Sequence, residues 1–266
     1  AGPTGSTDWI HAGSDMYSHS ITNSWIDHDA YYQHLQPGVT VKGTKHPGSP
    51  DVATTAMPIS DAQITDWEAA ALAGGTYSSP CPYTISSGSV TLGPIKINCD
   101  LNVSNSARVT LAGPVWVGGN VTFSNSPVVR IDSSLGSNSV VLIADKISDR
   151  VNSSTFDIAN STTFYDSGTA GSFIFLISGN RNAEDIGGGG VVNAINLANS
   201  ANGAIVLYSS HGKINIVNSA SLESVTGYQV DVSNSATLIY DSGLANALFS
   251  TGPGGSWKFS SFKETQ

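Results

Sequence analysis

Apolar and polar residues alternate with period two in short bursts along this chain, and six of the bursts run into the same dipeptide. The bursts are Leu101-Asn102-Val103-Ser104, Val121-Thr122-Phe123-Ser124, Phe156-Asp157-Ile158-Ala159, Ile195-Asn196-Leu197-Ala198, Ile214-Asn215-Ile216-Val217 and Val230-Asp231-Val232-Ser233. Each is followed by Asn-Ser, beginning at Asn105, Asn125, Asn160, Asn199, Asn218 and Asn234. The alternation predicts strands with one buried face. Asn tolerates the left-handed conformation of a tight bend, so each dipeptide predicts a corner. Another short apolar strand often follows, such as Arg108-Val109-Thr110-Leu111.

The gaps between successive Asn residues are 20, 35, 39, 19 and 16. A gap near twenty fits one coil of a solenoid. A gap near forty fits either two coils or one coil carrying a long outward loop. Strand–turn–strand units cannot bury an apolar face alone, so they stack. Stacking sets the six Asn residues above one another, with amides bonding along the stack. The chain therefore predicts an all-β fold, a right-handed parallel β-helix. An antiparallel sandwich also gives many short strands, but unrelated hairpins would not repeat the Asn-Ser phase.

Before the array the pattern changes. Residues 1–50 hold most of the His with several Tyr and Trp, and read as an N-terminal segment of degenerate coils. Residues 51–75 are a connector and the one convincing helix. Ser60 and Gln63 fit a capping box, Ile64, Trp67, Ala71 and Leu72 fall on one face, and Gly74-Gly75 ends the helix. Placed just ahead of the array, that helix is expected to cover the solenoid's open end, with Trp67 as a plug. Residues 76–266 form the array and an atypical last coil. Its stronger apolar runs, such as Val115-Trp116-Val117 and Phe173–Ile177, read as interior strands. The stretch Ser178–Ile186 and the glycines after it interrupt them, which makes Arg181, Glu184 and Asp185 the expected binding loop.

Composition narrows the function. Only 12% of residues are charged, and the net charge is −9. The four Arg residues are scattered, so there is no basic stripe for a nucleic-acid backbone. No apolar stretch reaches membrane-spanning length. Cys81 and Cys99 lie eighteen positions apart. They read as a disulfide in an exported protein, with a buried intracellular thiol pair as the alternative.

In order, His46-Pro47-Gly48-Ser49-Pro50-Asp51, then Met57-Pro58-Ile59-Ser60-Asp61-Ala62-Gln63-Ile64-Thr65-Asp66-Trp67, then the Asn-Ser repeats, then Ser242-Gly243-Leu244-Ala245-Asn246-Ala247 and Gly252-Pro253-Gly254-Gly255-Ser256-Trp257 carry a resemblance. They resemble the extracellular part of PilX-type pilus-assembly proteins, surface proteins of candidate-phylum bacteria. The resemblance covers most of residues 28–260. Members commonly have Asn-Asn where this chain has Asn-Ser, which keeps the bend at the first Asn. Members typically begin with a hydrophobic pilin-like segment, which this chain does not show. The resemblance implies an extracellular solenoid at the cell surface or on a pilus, and no catalytic residues carry over from it.

Two kinds of chemistry compete with a structural role. A β-helix polysaccharide lyase or glycoside hydrolase needs converging carboxylates. The acids here, among them Asp132, Asp145, Asp149, Glu184 and Asp231, repeat no local motif. Asp157 and Asp231 also share a repeat slot with Asn102, Asn196 and Asn215, as solvated strand positions would. His28 and His34, with nearby Asp residues, are weak metal-ligand candidates whose spacing matches no known motif. The expected function is a non-catalytic, exported structural or adhesive display module that needs no cofactor. Its expected partners are pilus or cell-surface proteins, or carbohydrate.

Overall fold

The computed structural model describes residues 10–51, 57–184 and 188–233, with the backbone of the strands Thr237–Leu238 and Leu248–Phe249. Two units emerge. Among the described residues, one is built from those up to 58 and the other from those between 59 and 232.

The larger unit is a parallel β-solenoid. One coil contains the strands Ile95–Ile97, Leu101–Ser104 and Arg108–Leu111. Val115–Val117 then opens the next coil, pairing in parallel with Ile95–Ile97. Repetition makes three walls. The first stacks Thr76–Tyr77, Ile95–Ile97, Val115–Val117, Asn138–Ala144, Ile174–Ser178 and the start of Ile205–Ile216. The second stacks Tyr83–Ile85, Leu101–Ser104, Val121–Ser124, Phe156–Ile158, Asn193–Leu197 and the end of Ile205–Ile216. The third stacks Ser89–Leu92, Arg108–Leu111, Val128–Ile131, Thr163–Tyr165, Asn202–Gly203, Ser221–Leu222 and Thr237–Leu238.

The period-two pattern accounts for the second and third walls. Leu101, Val103, Val121, Phe123, Phe156 and Ile158 point inward and are buried, as are Val109, Leu111, Val129 and Ile131 across from them. Their neighbours in sequence point out. The first wall differs because it is buried on both sides. Val115 and Val117 join the interior, and Trp116 between them is buried as well. Val141, Ile143, Phe175, Ile177, Val206 and Tyr208 behave like Trp116. Continuous apolar runs are the sequence mark of a strand covered on two faces.

The outer cover is the helix α1, Asp61–Ala73. Its start matches the sequence reading: the Ser60 hydroxyl accepts from the Gln63 N–H, and the Gln63 side chain accepts from the Ser60 N–H. Its position corrects that reading. Just past its C-terminal end, the Gly75 carbonyl accepts from Lys96 in an early coil. Near its N-terminal end, Asp61 faces Ser210 and His211, several coils later. A 13-residue helix is about 20 Å long, roughly four strand spacings. The helix therefore runs along the flank and packs on the strands of the first wall rather than over an open end. Ile64, Trp67 and Ala71 are buried against that wall, whereas Leu72 is 47% exposed.

The long gaps are single coils with loops. Val121–Phe123 pairs directly with Phe156–Ile158, which pairs with Ile195–Leu197. The extra residues lie at the two corners that flank the first wall. At one corner the segments around Arg150 and Arg181 knit together. The Arg181 N–H donates to the Arg150 carbonyl, and buried Asn180 donates to the carbonyls of Val151 and Ser153.

The smaller unit is also a stack of parallel strands, with two strands per coil. Ile10–Ala12, Ser24–Ile26 and Thr40–Val41 form one sheet; Met16–Ile21, Ala30–Leu35 and Lys45–Pro47 form the other. Ile21, Ile26, Ala30 and Tyr32 are its core. The rings of Tyr17, Tyr31 and His46 stack in a column at 4.3 and 4.2 Å.

Candidate functional site

The Asn-Ser corners join the second and third walls in five successive coils. Asn105, Asn125, Asn160, Asn199 and Asn218 have φ between 52° and 61°, and the Ser after each is also left-handed. The next residue turns inward: Ala107, Pro127, Thr162, Ala201 and Ala220 are buried. The Ser N–H donates to the Asn carbonyl of the following coil, as from Ser161 to Asn199 at 2.9 Å. Side-chain amides extend the ladder. Asn125 donates to Asn105 at 3.3 Å, Asn199 to Asn160 at 3.3 Å, and Asn218 to Asn199 at 3.1 Å. Asn234 lies outside the described residues.

A second polar ladder climbs the outside of the second wall. Thr84, Asn102, Thr122, Asp157, Asn196, Asn215 and Asp231 are in register. Asn196 donates to Asp157 at 2.9 Å, and Asn215 to Asn196 at 2.8 Å. The shared repeat slot is therefore one polar column, with threonine hydroxyls at 84 and 122 and amides or carboxylates at the other positions.

The densest titratable cluster lies between α1 and the first wall. A cavity of about 100 Å³ is lined by residues that include Asp61, Glu68, Asp145, Arg150, Arg181 and His211. Asp145 is buried and takes two hydrogen bonds from the Arg150 guanidinium, one of them at 2.8 Å. The Asp145 carbonyl accepts from the Trp116 indole at 2.9 Å. Lys96 sits over the same indole, 3.6 Å from its centroid. Glu68, on the buried side of α1, is 6% exposed. Burial first, and the adjacent Asp145 charge second, push its carboxyl up to about 8. Its Oε1 has no hydrogen-bond partner among the described residues. The Asp145 contact holds the Arg150 guanidinium firmly charged.

The predicted binding loop reaches this cluster. Arg181 pairs with Glu184 at 3.1 Å, Glu184 with His211 at 2.7 Å, and His211 with Asp61 at 3.2 Å. The loop is thus tied to the start of the helix. Asp185 lies outside the described residues. Sequence reasoning missed Glu68, since an acid on an amphipathic helix normally faces water, and it missed Arg150 as the partner of Asp145.

The weak metal candidates do not converge. His28 is an exposed corner residue, and exposed His34 packs edge-on against His19 at 5.3 Å. The described residues contain no group of three or more His, Cys, Asp or Glu side chains able to hold a metal ion. Asp27 nearby is instead satisfied by Lys42, His11 and Trp25, which hold its carboxyl well below the usual range. Cys81 and Cys99 do form a disulfide, with Cα atoms 5.9 Å apart. No described helix is long and apolar enough to cross a membrane.

No protein-family model, curated protein or solved structure matches the chain.

Proposed function

We propose that this protein is an exported, non-catalytic display module, held at the cell surface or on a pilus-like fibre and adhesive along its flat polar walls. The observation that carries the reading is the pair of outward ladders, the Asn-Ser corners and the Asn102-to-Asp231 column, which repeat polar groups at one strand spacing. Such a surface suits an extended, repeating partner better than a compact one. The disulfide is compatible with an oxidising compartment, and the resemblance to PilX-type surface proteins supports the same location. Pilus proteins, other surface proteins and carbohydrate are the partners this reading admits. Labelling and protease shaving of intact cells of the source organism tests location: surface exposure is expected, and a strictly internal pool overturns the reading.

A second reading is a carbohydrate-active β-helix enzyme, favoured by one observation. Glu68 and Asp145 are an acid pair in which one member holds its proton near neutrality, as a general acid must. Incubation with a polysaccharide panel decides between the two. The display reading expects no cleavage. Release of reducing or unsaturated ends that disappears in Glu68→Gln or Asp145→Asn overturns it.

A further inference from the structure

The third wall carries two arginines, Arg108 and Arg130, that have no ion pair among the described residues. Arg150 and Arg181 are ion-paired in the cluster under α1. Arg108 and Arg130 are exposed, and neither has an ion pair among the described residues. They stand on adjacent coils of one sheet. Arg108 is in register with Ser89 and Val128, and Arg130 with Thr110 and Tyr165. The alternate residues of the same two strands, Val109, Leu111, Val129 and Ile131, are buried, so the arginines project from the outer surface. One coil up and two residues along places the two Cα atoms roughly 8 Å apart.

Three further features surround them. Tyr165 is 50% exposed beside Arg130, which is unusual for a large aromatic in this otherwise hydroxyl-rich wall. A depression of about 290 Å³ opens at Arg130, lined by Thr110, Asp132, Ser133 and Ser167. Asp132 is partly committed there, since its Oδ1 accepts from the Ser134 N–H and hydroxyl, and these bonds hold its carboxyl below the usual range. On a chain of net charge −9, an exposed sheet bearing two guanidinium groups without an ion pair among the described residues stands apart from its surroundings.

We propose that this wall binds an acidic, uronate-bearing polysaccharide. The proposal rests on the adhesive reading above and assigns it a face and a ligand class. A guanidinium takes a carboxylate through two parallel hydrogen bonds, a geometry that lysine lacks. The Tyr165 ring offers an apolar platform with a polar tip, which suits the C–H face of a sugar. The Thr and Ser hydroxyls and the second carboxylate oxygen of Asp132 suit sugar hydroxyls. Two arginines one coil apart meet successive carboxylates on a single extended strand. An acidic peptide would satisfy the arginines but would leave the depression and the tyrosine without a matching ring.

The test is binding of the whole chain to polygalacturonate, alginate, dextran and poly-glutamate, by calorimetry at low and moderate salt. The variants are Arg108→Gln/Arg130→Gln and Tyr165→Ala, all at exposed positions, with circular dichroism to verify folding. Expected are polyuronate binding that weakens with salt, at least a tenfold loss in the double arginine variant, a several-fold loss in Tyr165→Ala, and no dextran binding. Polyuronate binding that none of the variants alters overturns this face while the adhesive reading stands. Poly-glutamate binding as tight as polyuronate overturns the sugar assignment. Absence of polyuronate binding overturns the proposal, and the cell-surface labelling experiment then judges the display reading separately.

Discussion

The phenolic hydroxyl of Tyr208 donates to the backbone carbonyl of Ile59, 149 positions earlier in the chain. Both residues are buried, and burial pushes the Tyr208 phenol well above its ordinary value, so it stays a donor at any physiological pH. This bond fastens the entry of α1 to a late coil, while the Gly75 carbonyl, just past its end, is fastened to an early one. A single helix thereby ties together coils that touch one another only through their neighbours.

Trp67 is the anchor of that arrangement, at 1% exposure beneath the helix. Trp67→Ala is expected to cost about 3–5 kcal/mol, the range for truncating a buried large aromatic. Limited proteolysis checks where the loss falls: new cleavage within 57–75 is expected before cleavage in the coils.

Glu68 makes the same contact sensitive to pH. Its folded-state value of about 8 lies above the ordinary glutamate value of 4.5. The folded form therefore holds the proton more tightly than the unfolded chain. Its contribution to stability is full below about 4.5, falls as pH rises, and is gone above about 8. Glu68→Gln cannot ionise. Thermal melts from pH 4 to 9 are expected to show a smaller alkaline loss in the variant, and a melting temperature above wild type at pH 9.

The corner at Asn199 separates two effects. Its side chain donates to Asn160 and accepts from Asn218, and its φ is 52°. Asn199→Gly loses the side-chain bonds and keeps an easy left-handed backbone. Asn199→Ala loses both, adding a left-handed penalty of roughly 1–2 kcal/mol. The alanine variant should have the lower urea midpoint. Equal midpoints would mean that the ladder bonds, not the backbone, select Asn.

The Cys81–Cys99 bridge closes a loop with a sequence separation of 18. On the chain-entropy account it is worth about 3 kcal/mol. The double substitution Cys81→Ser/Cys99→Ser is expected to lower stability by that order, and reductant is expected to lower the wild type by a similar amount and leave the variant unchanged.

The sequence and the fold agree where the cause is local. A left-handed corner needs a particular residue, so Asn-Ser advertises each bend, and the inward positions follow from alternation. Val115-Trp116-Val117 also carried a local signal, because an unbroken apolar run marks a strand covered on both sides. What it could not name was the cover, since the helix that supplies it precedes the array and shows only that one of its own faces is apolar. The cluster around Glu68 was illegible for a related reason. Asp145, Arg150 and His211 each look like ordinary surface residues until stacking and helix docking bring them together. Arg108 and Arg130 were scattered in sequence for the same cause, and one coil of offset makes them neighbours.

The added length in the fourth and fifth coils has gone to the two corners beside the helix-covered wall, while the five described Asn-Ser corners keep one shape. Inserted sequence at those two sites leaves the vertical pitch unchanged. This divides the molecule into a conserved-geometry edge and an editable edge. Lineages, or engineers, can splice new segments into the second without re-registering a single rung of the first.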